Sequence, residues 1–213
     1  MSEIHYRLAK PSDARQLANC HWSVRDRYTQ GIFLSLGKTF LEAYYKVVLD
    51  DPWEVVLCAE KEDGTIVGFK STTLNAAAQA KNLQKHKMYL GFATIKALLF
   101  KPSLIKDLWQ RYQSLKGDKN APQFVHADGV RAEYWCWLPD EDSLKSFELN
   151  RMYTKLLCAL DVREVYFEVD KFNKEVYRFH QKVTKAEPLE EITLPDGRVR
   201  VLFKKVLKTH NCL

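Results

Sequence analysis

Two apolar rhythms meet across a single asparagine between Glu164 and Val183, a junction of two kinds of secondary structure. Val165, Phe167 and Val169 alternate with polar neighbours, the two-residue period of a half-buried strand. Val176, Phe179, His180 and Val183 recur at i, i+3, i+4 and i+7, the period of one helix face. Asn173 lies between them, and its side chain is one that accepts the free N–H groups of a helix start. The segment predicts strand, cap and helix in succession, with an imidazole on an apolar stripe.

The rest of the chain predicts partners for this unit. Ile4 to Ala9 reads as an edge strand, and Pro11-Ser12-Asp13 starts a helix reaching about Asp26. A second helix from near Ser35 carries Phe40, Leu41, Tyr44, Val47 and Val48 on one side and stops at Asp50-Asp51-Pro52. Glu54 to Glu60 and Thr65 to Thr73 form a hairpin whose turn contains Asp63-Gly64. Residues 76–120 are mostly helical in character, with a break at Lys101-Pro102. Ala132 to Leu138 reads as a strand with Glu133, Trp135 and Trp137 on one face and Tyr134 and Cys136 on the other. A helix bearing Leu149, Met152, Tyr153, Leu156, Leu157 and Leu160 follows, and the chain closes on a hairpin around Leu194-Pro195-Asp196-Gly197. The expected fold is α/β with a mixed sheet of about seven strands flanked by helices, a helical insertion between strands 3 and 4, and one domain over residues 1–213.

The strand-Asn-helix unit and the order of elements resemble the GNAT N-acyltransferase superfamily. There a strand ending in Val leads through Asn into a short helix, commonly as N-x-x-A-x-x-(apolar)-Tyr. The same spacing here gives Asn173, Val176, Phe179 and His180, with Thr184-Lys185 where the family has Gly-Phe. Phe33-Leu34-Ser35-Leu36-Gly37 is similar to a segment of bacterial surface-polysaccharide acyltransferases in that superfamily.

The resemblance implies transfer of an acyl group from acyl-CoA to a primary amine in a cleft between the strands around Trp137 and Val169. It implies that Trp137, Leu138, Ser143, Lys145, Ser146 and Asn173 bind coenzyme A, with the pyrophosphate near the start of the helix after strand 4. One departure is plain: Pro139 to Phe147 contains no glycine and three acids, where the family has a glycine-rich loop. His180 takes the place of the Tyr that protonates the departing thiolate, with Tyr177 as a competitor, and a core histidine bonded to backbone as the bland alternative. Glu133 aligns with a general base, and His126 and Asp128 compete for that role. Arg25, Tyr28 and Trp135 are expected to meet the acceptor, beside Arg27. Asn173 is an N-cap in either case.

Charge narrows the acceptor. Residues 76–120 hold nine Lys or Arg against two Asp, whereas the whole chain is only +6, so the excess is concentrated there. With Tyr89, Phe92, Phe100, Trp109 and Tyr112 interleaved, this wall suits a nucleotide-linked amino sugar. A solvated helical face is the plain alternative. Two other functions stay open: a non-catalytic binding module for nucleic acid or an anionic surface, and protein or peptide N-acetylation. Nucleic acid is not a partner in the leading reading, and the oligomeric state is open.

Five cysteines without a C-x-x-C pair argue against a disulfide framework and a structural zinc site, and no metal is expected. Cys136 and Cys158 read as small buried apolar residues rather than nucleophiles. Met88 to Phe100 is too short to span a bilayer, and Met1 to Lys10 shows no secretory pattern, so the expected location is the cytoplasm.

Overall fold

The computed structural model describes residues 3–26, 32–115, 126–194 and 197–207. Its centre is a seven-stranded sheet in the order β1-β2-β3-β4-β5-β7-β6. The strands are β1 (Ile4–Leu8), β2 (Glu54–Lys61), β3 (Ile66–Thr73), β4 (Arg131–Trp137), β5 (Glu164–Asp170), β6 (Glu187–Thr193) and β7 (Val199–Val206). All neighbours pair antiparallel except β4 and β5, which are parallel and share one register pair, Arg131 with Tyr166. β3 is buried along its whole length, as a central strand covered on both faces must be.

Helices cover both faces. On one lie α1 (Ala14–Ser23), α2 (Ile32–Ser35) and α3 (Gly37–Leu49), which bury Leu17, Leu41, Tyr45 and Val48 against Cys58, Phe69 and Cys136. Each such aliphatic side chain removed from water contributes about 1.5–3 kcal/mol. On the other lies α7 (Ser143–Ala159), which buries Leu149, Tyr153 and Leu157 against Leu57, Val67 and Val165. The insertion is three helices, α4 (Ala76–Lys85), α5 (Lys87–Phe100) and α6 (Leu104–Leu115), broken where Lys101-Pro102 predicts. α5 packs on α3 through Leu90, Ala93 and Ala97.

Two expectations need correction. The apolar stripe after Asn173 is not a continuous helix face: α8 (Lys174–Arg178) lasts little more than one turn and passes into a π turn over Phe179–Val183. The widened turn re-aims the side chains, so His180 is buried while Val176 and Val183 are exposed. The thiols also divide: Cys20, Cys58 and Cys136 are free and buried, but Cys158 is disulfide-bonded. No described helix is long and apolar enough to cross a membrane.

Candidate active site

β4 has one residue more than its partner strand across the middle of their ladder. Lys70 on β3 opposes Trp135 and Thr72 opposes Ala132, so two steps on β3 answer three on β4. This is a β-bulge, and it turns both Glu133 and Tyr134 toward α3 while Trp135 still faces α7. The N–H of Tyr134 donates to Ser71 Oγ at 3.1 Å within the bulge. Glu133 therefore does not share a face with Trp135 and Trp137, as simple alternation predicts.

On the α3 face Glu133 joins a buried polar network. It accepts from the Tyr44 hydroxyl at 2.9 Å and from Arg131 Nη2 at 2.8 Å. Gln79, from the first helix of the insertion, donates through one Nε2 to Glu133 Oε1 at 2.8 Å and to Glu54 Oε1 at 2.7 Å. Its carbonyl accepts from Arg131 at 2.5 Å. Two carboxylates thus flank one amide, and the single guanidinium leaves the pair short of positive charge. Burial, then the neighbouring Glu133 charge, pushes Glu54 up to about 8. Glu54 and Gln79 carry no motif. Only contacts between residues 25 and 54 positions apart along the chain bring them to this site.

The α7 face of the same strand is aromatic and cationic. Trp135 meets Phe147, Phe179 and His180, with ring centroids 6.4, 5.6 and 6.4 Å away. Lys70 Nζ stands 4.7 Å over the Trp135 ring and 4.3 Å over Tyr153, and donates to Asn150 Oδ1 at 2.6 Å. Burial, then Lys205, pushes Lys70 down to about 7. His180 packs on Phe167 at 4.4 Å and lies 3.4 Å from the Thr184 hydroxyl. Burial, then the charges of Lys70 and Lys205, lowers it to about 3, so its ring is neutral at neutral pH. A neutral imidazole with that affinity is not a charged acid, whereas Lys70 on the same face exchanges its proton near neutrality. Tyr177 is half-buried edge-on against Phe203, 5.2 Å away.

The other expected positions are spread over the end of β4, the starts of α7 and α8, and the segment after α1. Trp137 covers Gly68, where a Cβ would meet its ring at 2.1 Å. The Leu138 N–H is held by the Val67 carbonyl at 2.8 Å. Asn173 caps α8, accepting from the Val176 N–H at 3.3 Å. At the start of α7, Asp142 accepts from the Leu144 N–H at 2.9 Å, Lys145 pairs with Glu148 at 3.1 Å, Ser143 is exposed and Ser146 is half-buried. Arg25 lies beyond the end of α1, over the Trp22 ring at 5.0 Å. Arg27 and Tyr28 lie outside the described residues. His126 stacks on Tyr166 at 4.4 Å and Asp128 is exposed, so neither joins the Glu54 and Glu133 pair.

The described residues include no group of three or more His, Cys, Asp or Glu able to hold a metal ion. The α7 face of β4 offers more to an acyl-CoA arm. Nε1 of Trp135 and Nε1 of Trp137 are buried with no hydrogen-bond partner among the described residues, a state that costs about 1–3 kcal/mol per group unless a ligand satisfies it. The phosphate end fits less well, because the Asp142 carboxylate already occupies the N-cap of α7.

Solved structures share this architecture. An N-acetyltransferase from Staphylococcus aureus Mu50 superposes with a TM-score of 0.57 at 9% identity, covering 97% of this chain and 99% of its own. A GNAT-family acetyltransferase from Bacillus cereus gives 0.52 at 12%, covering 97% and 99%. A spermidine N-acetyltransferase chimera of Vibrio cholerae SpeG and hSSAT gives 0.58 at 10%, covering 97% and 94%. The chain has the GNAT fold. No family model and no curated protein matches the sequence. Within the GNAT fold the insertion between β3 and β4 contributes Gln79 to the buried acid pair, so it is part of the candidate site as well as a surface addition.

Proposed function

We propose that this chain is an acyl-CoA-dependent N-acyltransferase, one domain over residues 1–213, in which a primary amine attacks the thioester directly. The observation that carries the reading is the two-sided arrangement around the β4 bulge: a buried acid pair on one face and orphaned indole N–H groups beside Lys70 on the other. Coenzyme A supplies the activated acyl group. The chain supplies a base for the amine, donors for the arm and a proton for the leaving thiolate.

Glu54 and Glu133 receive the ammonium proton, and a carboxylate whose affinity is raised to about 8 is a stronger base than an exposed one. Nε1 of Trp135 and Trp137 donate along the arm. Ser143, Lys145, Ser146 and Asn173 are the groups available to its phosphate end. Lys70 returns a proton to sulfur, the role that the resemblance gives His180 or Tyr177. His180 holds the floor of this side neutral and dry.

For the acceptor, a nucleotide-linked amino sugar suits the chain better than a polyamine. The insertion that borders the acid pair carries the excess positive charge, which repels a polycation and attracts a diphosphate. The test is release of free thiol from acetyl-CoA and longer acyl-CoAs with a panel including nucleotide amino sugars, spermidine and lysine peptides. Turnover with an amine supports the enzyme reading, and preference for the sugar supports the acceptor. Absence of coenzyme A binding in native mass spectrometry, together with no turnover on the panel, overturns it.

A further inference from the structure

α5 is apolar nearly all round, and the fold covers only one side of it. Leu90, Ala93 and Ala97 pack against the α1–α3 layer. Met88, Phe92, Ile95 and Leu99 recur at i, i+4, i+7 and i+11 on the other side and stand in solvent, Phe92 at 67% and Leu99 at 76% exposure. A helix of this composition is ordinarily buried on both sides.

The helix after it also exposes apolar side chains, Ile105 and Trp109. Lys87 Nζ donates to the Tyr112 hydroxyl at 3.3 Å, which sets the start of α5 beside the end of α6, so the two form an antiparallel hairpin. Phe100, at its turn, is 82% exposed, and Trp109 on α6 is 59% exposed. Exposed Lys96, Lys101 and Lys106 flank this tip, and Asp107 is the only acid between residues 76 and 115.

We propose that the α5–α6 hairpin docks the protein on an anionic lipid surface, with Leu99 and Phe100 entering the acyl boundary and the lysines meeting phosphate headgroups. Apolar and aromatic side chains among cations, on a helix too short to span, are the pattern of an element that lies in the interface plane. Charge selects this occupant over a second copy of the chain. Pairing the hairpin with itself would bring two sets of lysines together around the apolar strip with little acid to neutralise them. The inference is independent of the catalytic reading, because lipid binding is measured without turnover.

The experiment is flotation of the full chain with phosphatidylcholine vesicles, with and without phosphatidylglycerol, across a salt series. The comparison uses Leu99→Ser with Phe100→Ser, and separately Lys96→Glu with Lys101→Glu. All four residues are exposed, so both variants fold. Binding that needs phosphatidylglycerol, weakens with salt and drops at least about tenfold in each variant is the expected result. No binding to anionic vesicles at low salt overturns the proposal. So does concentration-dependent dimerisation abolished by the serine variant, which assigns the face to a second copy. Retention on a DNA duplex that the serine variant leaves unchanged would assign the lysines to nucleic acid and overturn it as well.

Discussion

Glu133 and Trp135 are two residues apart on β4 yet face opposite sides of the sheet, Glu133 toward Tyr44 of α3 and Trp135 toward Phe147 of α7. In a regular strand i and i+2 share a face. The bulge opposite Ser71 breaks that rule and places a carboxylate and an aromatic wall on either side of one strand.

Glu54→Gln is expected to remove the rising limb of the pH profile of turnover and leave the fall set by Lys70. In the native protein the base is active once it has lost its proton, near 8, and Lys70 can give its proton only while it holds one, near 7, so kcat at saturating amine peaks between these values and falls on either side. Removing one member of the pair should lower kcat by about 10²-fold or more at neutral pH. A profile in Glu54→Gln identical to that of the native enzyme would take the acid pair out of the reaction.

Lys70→Met separates function from stability. The native state of Lys70 gives up its proton near pH 7, whereas the unfolded chain holds it to about 10.5. Between those values the unfolded state binds more protons, so stability rises with pH, by at most about 1.4 kcal/mol per unit. The variant should lose that rise in chemical denaturation and also lose turnover. Unchanged kcat would return the thiolate proton to another donor.

His180→Phe tests the same face from the acid side. A histidine held at about 3 when folded and near 6.5 when unfolded contributes stability that is whole above pH 6.5 and is lost as pH falls toward 3. The variant should therefore lose less of its melting temperature than the native protein between neutral and acid pH. His21, lowered to about 4 by burial beside Tyr45, leaves a residual dependence of the same sign. Turnover within about tenfold of native is expected, since a neutral ring is not the acid. A far larger loss at unchanged coenzyme A affinity would restore His180 to the proton path.

Gly68→Ala is expected to destabilise by about 1–3 kcal/mol, because the new methyl meets the Trp137 ring and the ring has packed neighbours. Trp137→Leu should relieve much of that cost, a coupling that a double-mutant cycle of unfolding free energies measures. Additive effects would mean the ring moves freely.

Much of the fold was legible in the chain. The hairpin across Asp63-Gly64, the break at Lys101-Pro102, the cap at Asn173 and the periodicity of α3 and α7 are local signals, and the structure follows them. The site was less legible. Trp135 and His180 stand 6.4 Å apart between ring centroids, a neighbourhood that no spacing in the chain announces. Glu54, Gln79 and Lys70 lie in ordinary strand and helix contexts, and no spacing marks them.

The sequence by itself determined which segments are strands and helices, because period, caps and turn residues act within a few positions of one another. The helical insertion and its charge were equally plain. Only the tertiary structure decided which side of the sheet each functional group faces. An extra residue in β4 and a widened turn after α8 each rotate side chains without altering the apolar pattern of the chain. Burial then set the proton affinities of Glu54, Lys70 and His180, since desolvation and the nearest charges exist only once distant segments have packed.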